Sequence, residues 1–133
     1  MKVVLDTNVL ISGIFFGGGP SRILEAWTEG RFIVYAAPQI LSEYFATLEK
    51  LGGLEGPALG KIWQEILSRL CHIVPDSAET LPISRDPGDD KFLFCAAKSR
   101  ADYLVTGDKD LKTLRPQFSF KIVTPAEFLM ILR

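Results

Sequence analysis

Residues 2–8 read KVVLDTN and residues 102–110 read DYLVTGDKD, and the shared pattern of these two stretches decides the fold. Each is a short, unbroken apolar run that ends on an aspartate within one turn. A strand with one wet face alternates apolar and polar residues. A continuous run rich in β-branched residues instead suits a parallel sheet covered on both faces. RFIVYAA (31–37), CHIVP (71–75) and SFKIVTP (119–125) are of the same kind. Strands are therefore expected over 2–6, 31–37, 71–75, 102–108 and 119–125.

Helical spacing fills the intervals. Segment 20–30 puts Ile23, Leu24 and Trp27 on one stripe and has Gly30 as a stop. Segment 38–53 opens on Pro38 and aligns Ile40, Leu41, Tyr44, Phe45 and Leu48. Segment 59–70 turns Ile62, Trp63, Ile66, Leu67 and Leu70 inward, and 89–101 and 125–133 complete the set. This alternation predicts one α/β domain over 1–133, a three-layer α/β/α arrangement with a central parallel sheet of about five strands. In such sheets ligands bind outside the carboxyl ends of the strands.

Composition narrows the chemistry. At 133 residues, 47 % hydrophobic and net charge −1, the chain suits a single ordinary core and not a nucleic-acid coat protein. The mean hydropathy of +0.19 excludes disorder, and no apolar run approaches a membrane span. A charge already at Asp6 is too early for a secretory signal, so a cytoplasmic location and no membrane partner are expected. Cys71 and Cys95 lie in apolar surroundings and read as buried thiols. With His72 the only histidine, His/Cys zinc sites and histidine-activated nucleophiles are nearly excluded. A resident metal would be a hard cation held by carboxylates.

Carboxylates stand where the topology predicts a ligand. Asp6 and Asp108 follow strands, each readable also as a helix cap, Asp108 for a short DKDLKTL helix. Glu43 borders an apolar helix face, where a surface glutamate is an equal reading. In RDPGDD (85–90) Asp86 and Pro87 read as N-cap and first helical residue, with Asp89 third. Capping explains one or two of these acids but not three within five residues. Close carboxylates repel by about 1 kcal/mol or more per pair, and a divalent cation reverses that sign.

Together VVLDTNVLIS, PQILSEYFATL, RDPGDDKFLFCAAKSRADYLVTGDKDL and IVTPAEFL resemble a PIN domain, of the small prokaryotic branch grouped as toxin components of toxin–antitoxin pairs (VapC-like ribonucleases). The likeness spans nearly the whole chain, with the motifs in order. It implies a ribonuclease dependent on Mg²⁺ or Mn²⁺, with a catalytic and metal-holding quartet of Asp6, Glu43, Asp89 and Asp108. Asp90 is a further candidate ligand, and Asn8 and Thr106 match supporting positions. RNA is the implied substrate, a cognate antitoxin and a second copy of the chain the implied partners. Lys91, Lys109 and Arg85 are candidates for RNA contact, with Lys98 and Arg22 further out. Phe15 and Phe16 offer rings for a base or for the core, beside a glycine-rich segment read as a flexible loop. Competing readings are a phosphotransfer receiver and a PIN fold that binds protein or RNA without cleaving. The receiver wants an acidic pair after the first strand, where DTN stands, and a lysine after the last, where IVTP stands.

Overall fold

The computed structural model of the chain describes residues 1–55, 57–76, 90–113 and 118–133. The five apolar runs are strands β1 (Lys2–Leu5), β2 (Ile33–Ala36), β3 (His72–Ile73), β4 (Tyr103–Val105) and β5 (Lys121–Val123). Every pairing is parallel, in the order β3-β2-β1-β4-β5. That order separates the chain from a receiver, whose sheet runs 2-1-3-4-5. In the centre Val3, Val4, Leu5, Val34, Leu104 and Val105 are all buried, so both faces of the sheet are covered. At the edge β3 departs from the expected buried run. It is two residues long and both are exposed, because only β2 flanks it.

The seven helices described are α1 (Thr7–Phe15), α2 (Gly18–Thr28), α3 (Pro38–Glu55), α4 (Pro57–Leu70), α5 (Asp90–Ser99), α6 (Lys109–Lys112) and α7 (Pro125–Leu132). With right-handed crossovers, the connections from β1 out to β2 and β3 cover one face, and the return to β4 and β5 covers the other. Helix α5 accordingly packs across β1, β2 and β4. None of the described helices is long and apolar enough to cross a membrane.

Two expectations are corrected. Residues 7–15, for which a turn or a helix capped by Asp6 is the alternative to a site, form α1, with Val9, Leu10, Ile11 and Gly13 buried. The glycines that follow are not a flexible loop. Only Gly17 stands between the helices, and Gly18 and Gly19 belong to the first turn of α2. Gly17 and Gly18 hold φ of 77° and 71°, a region open to glycine at no steric cost, which lets α1 turn directly into α2. Phe15 packs against the core and Phe16 is exposed. The inward stripe of α4 is narrower than its periodicity suggests: Leu67 is buried, Trp63 and Ile66 are half-buried, and Ile62 and Leu70 face outward. This helix packs chiefly on α3, with Trp63 meeting Trp27 at 6.3 Å, so one strip suffices.

Gly30 ends α2 as expected. It sits at φ 79°, with its N–H on the Trp27 carbonyl and the Arg31 N–H on the Ala26 carbonyl, a Schellman closure. Helix α7 opens on a capping box between Thr124 and Glu127, with Pro125 in its first turn.

Candidate active site

In a sheet ordered β3-β2-β1-β4-β5 the direction of winding reverses between β1 and β4. The crevice for a ligand lies there, and both strands end on an aspartate. The Asp6 N–H bonds the Val105 carbonyl at 3.0 Å, which continues the β1–β4 ladder. Asp6 is 6 % exposed and caps α1, its Oδ1 accepting the Asn8 N–H at 3.3 Å. Its Oδ2 accepts the Thr106 hydroxyl at 2.6 Å. That hydroxyl in turn accepts the Asp108 N–H at 3.0 Å. Asp108 caps α6, its Oδ1 accepting the Asp110 N–H at 2.8 Å. Capping and site placement, alternatives in the sequence, coincide in both residues: a cap fixes a carboxylate at a helix start, and these helices start at the crevice.

Burial pushes the Asp6 carboxyl above its usual range, and the nearby charges of Asp108 and Glu43 push it further. The bonds from Thr106 and Asn8 act the other way. Three acids, from the starts of α1 and α6 and the second turn of α3, thus share one electrostatic neighbourhood. Among the described residues no cation pairs with Asp6. The donors facing it are oxygen acids, while His72 lies at the sheet edge beside Tyr35. Such a set suits a hard cation such as Mg²⁺ or Mn²⁺. Among the described residues no three acid, imidazole or thiol groups converge to metal-holding distance. Asp89 lies outside the described residues, as do Arg85 and Asp86.

Glu43 projects from the second turn of α3 beside the fully buried Tyr44, whose hydroxyl donates to the Leu5 carbonyl and ties α3 to the end of β1. The Thr7 hydroxyl donates to Glu43 Oε2, and Lys91 Nζ meets Oε1 at 2.8 Å. Asp90, the first residue of α5, is also buried. Lys91 follows it with its side chain 17 % exposed, turned to Glu43 instead of an open rim. Lys109 is exposed next to Asp108, Asn8 is exposed next to Asp6, and Lys98 lies in the last turn of α5, at the far end of that helix from Asp90. The sequence reading had no role for Thr7 or Tyr44. A buried threonine beside Asp6 and a tyrosine fully inside an α/β core each need a polar partner, which was the available signal.

Residues 2–110 match the family described as PIN domain. The chain belongs to the PIN domain family. The uncharacterized protein MJ1680 of Methanocaldococcus jannaschii is 35 % identical to this PIN domain over 143 residues, covering 97 % of the chain and 90 % of that protein. Among solved structures, a chain in VapBC2 from Rickettsia felis, bound to a DNA fragment from their promoter, shares the fold with a TM-score of 0.63. It is 16 % identical, over 93 % of this PIN domain and 98 % of that chain. The PIN domain endonuclease Utp24 matches with a TM-score of 0.51 and 20 % identity, over 92 % of this chain and 84 % of that one.

Proposed function

We propose that this PIN domain is a metal-dependent ribonuclease that hydrolyses RNA phosphodiester bonds, with Asp6, Glu43, Asp89 and Asp108 as its acid set and Mg²⁺ or Mn²⁺ as its cofactor. The observation that carries the reading is the burial of the Asp6 carboxylate at the switch point of the sheet, with Asp108 and Glu43 close enough to raise its pKa. Burying a carboxylate among like charges costs stability, and a divalent cation is the partner that turns the cost into a gain. Likeness to the PIN domain endonuclease Utp24 supports cleavage, and likeness to VapBC2 supports a toxin partnered by an antitoxin.

Asp6 and Asp108 would hold the cation, with Asp89 completing the set and Asp90 beside it. When bound, the cation supplies charge neutralisation at the phosphate and a more acidic water. Thr106 keeps the Asp6 carboxylate aimed and, through the Asp108 amide, fixes the two acids relative to each other. Glu43, held by Thr7 and Lys91, would accept a proton. Lys109 on the exposed rim and Arg85 would meet the phosphate backbone, which an acidic crevice alone repels.

Purified chain should degrade RNA with Mg²⁺ or Mn²⁺ and not with EDTA, and Asp6→Asn and Asp108→Asn should each reduce the rate at least about 100-fold. Cleavage that persists in both variants sinks the site. A second reading, a PIN fold that binds RNA or protein without cleaving, is favoured by one observation: Lys91 already neutralises Glu43. Absence of cleavage by wild type with any divalent metal, together with retained RNA binding, would select it.

A further inference from the structure

Both carboxylate oxygens of Glu43 are claimed, each from a different element. The Thr7 hydroxyl arrives from α1 at Oε2, and the Lys91 ammonium arrives from α5 at Oε1, 2.8 Å away. The Lys91 ammonium also lies 5.1 Å from the centre of the Phe92 ring. A surface lysine ordinarily leaves its stem on the protein and its ammonium in water. Here 83 % of the side chain is covered, and the charge is brought to Glu43, an acid of the helix layer and not of a strand end. Asp6 and Asp108 differ in kind. Among the described residues their hydrogen-bond partners are uncharged N–H and O–H donors: the Asn8 amide and Thr106 hydroxyl for Asp6, the Asp110 amide for Asp108. An ammonium and a divalent cation repel, so a lysine fixed on one limb of an acid set directs the cation to the other.

We propose that Lys91 is a built-in counter-cation that divides the acid set, confining divalent metal to the limb of Asp6 and Asp108 and keeping Glu43 outside direct coordination. The proposal rests on the metal-dependent reading above and deepens it by assigning the number of ions: one while Lys91 holds Glu43. Removing the lysine charge leaves Glu43 an uncompensated ligand, so the set binds metal more tightly or takes a second ion. Lys91→Arg retains the charge and keeps the wild-type behaviour.

The test is a calorimetric titration of Mn²⁺ alone, without RNA, into the full chain as wild type, Lys91→Met, Lys91→Arg, Glu43→Gln and the Lys91→Met/Glu43→Gln double variant. Wild type and Lys91→Arg should bind one ion. Lys91→Met should bind at least about fivefold more tightly, or take up two ions, and the gain should vanish in the Glu43→Gln background. Circular dichroism checks folding, and Lys91→Gln replaces Lys91→Met if the latter does not fold. Identical isotherms for wild type and the charge-removing variants overturn the proposal. So does a Lys91→Met chain with unchanged Mn²⁺ binding but weaker RNA binding and a salt slope reduced by about one, which assigns the lysine to a phosphate. Wild type that binds no Mn²⁺ overturns the metal-dependent reading and this inference with it, an outcome distinct from the other two.

Discussion

The Asp6 carboxylate takes its hydrogen bonds from an amide two residues on and from a hydroxyl 100 residues away, and it is raised in pKa all the same. A carboxyl with a folded pKa above its unfolded value, 3.8 here, contributes stability that is full below the unfolded pKa and is lost as pH rises through the folded one. At neutral pH, without metal, Asp6 therefore weighs against folding. Asp6→Asn keeps the cap through its carbonyl, and the Thr106 hydroxyl can turn to accept from the amide. This variant should melt a few degrees above wild type in EDTA at pH 7, with the gap closing towards pH 4, while losing cleavage. Thr106→Val tests the other end of the link. It strips a donor from Asp6 and an acceptor from the half-buried Asp108 amide, and denaturant titration should show a loss of about 1–3 kcal/mol that Thr106→Ser largely restores. The strand-end aspartates were legible because a run of β-branched residues that stops on an acid leaves few placements for it. The clasp on Glu43 was not, since neither the reach of Lys91 nor that of Thr7 follows from local spacing.

At the scale of elements, the strands and five of the seven described helices follow from period and punctuation, with ends shifted by a few residues. Helix α1 escaped because TNVLISGIF is apolar all round, which hides the 3.6-residue stripe and leaves only the cap at Asp6 as its marker. Helix α6 appeared only as an alternative to a site at Asp108. Both helices start at an acid that caps them beside the crevice. Gly13 shows how tightly α1 is set. A Cβ there would lie 2.6 Å from Leu24 Cδ1 and 2.8 Å from the Pro20 carbonyl oxygen, and the backbone atom cannot swing aside. Gly13→Ala, usually favourable within a helix, should instead destabilise by about 1–3 kcal/mol in thermal or urea melts. Movement of α1 would also carry Thr7 away from Glu43.

For the whole molecule, the two free thiols add to the alkaline limit, together with the buried Tyr44 hydroxyl, which burial also pushes up. Burial pushes Cys71 and Cys95 from 9.0 up to about 12. Unfolded chains lose these protons near pH 9 and the folded chain near pH 12, so their contribution is complete below pH 9 and lost across that window. The urea midpoint should fall from pH 9 upward, more steeply than in a Cys71→Ala/Cys95→Ala chain, and the folded protein should resist iodoacetamide at pH 8. The topology also has a consequence in time. Strand β1 is made first, yet it lies in the middle of the sheet, and its neighbour β4 is about a hundred residues later. A chain made from its N-terminus cannot join Asp6 to Thr106 and Asp108 until most of its length has left the ribosome. A fragment ending at Ala101 should accordingly neither fold cooperatively nor cut RNA, as scanning calorimetry and a cleavage assay would show. On the ribonuclease reading proposed above, a chain wired in this order stays harmless to the messenger that encodes it while its own translation is under way.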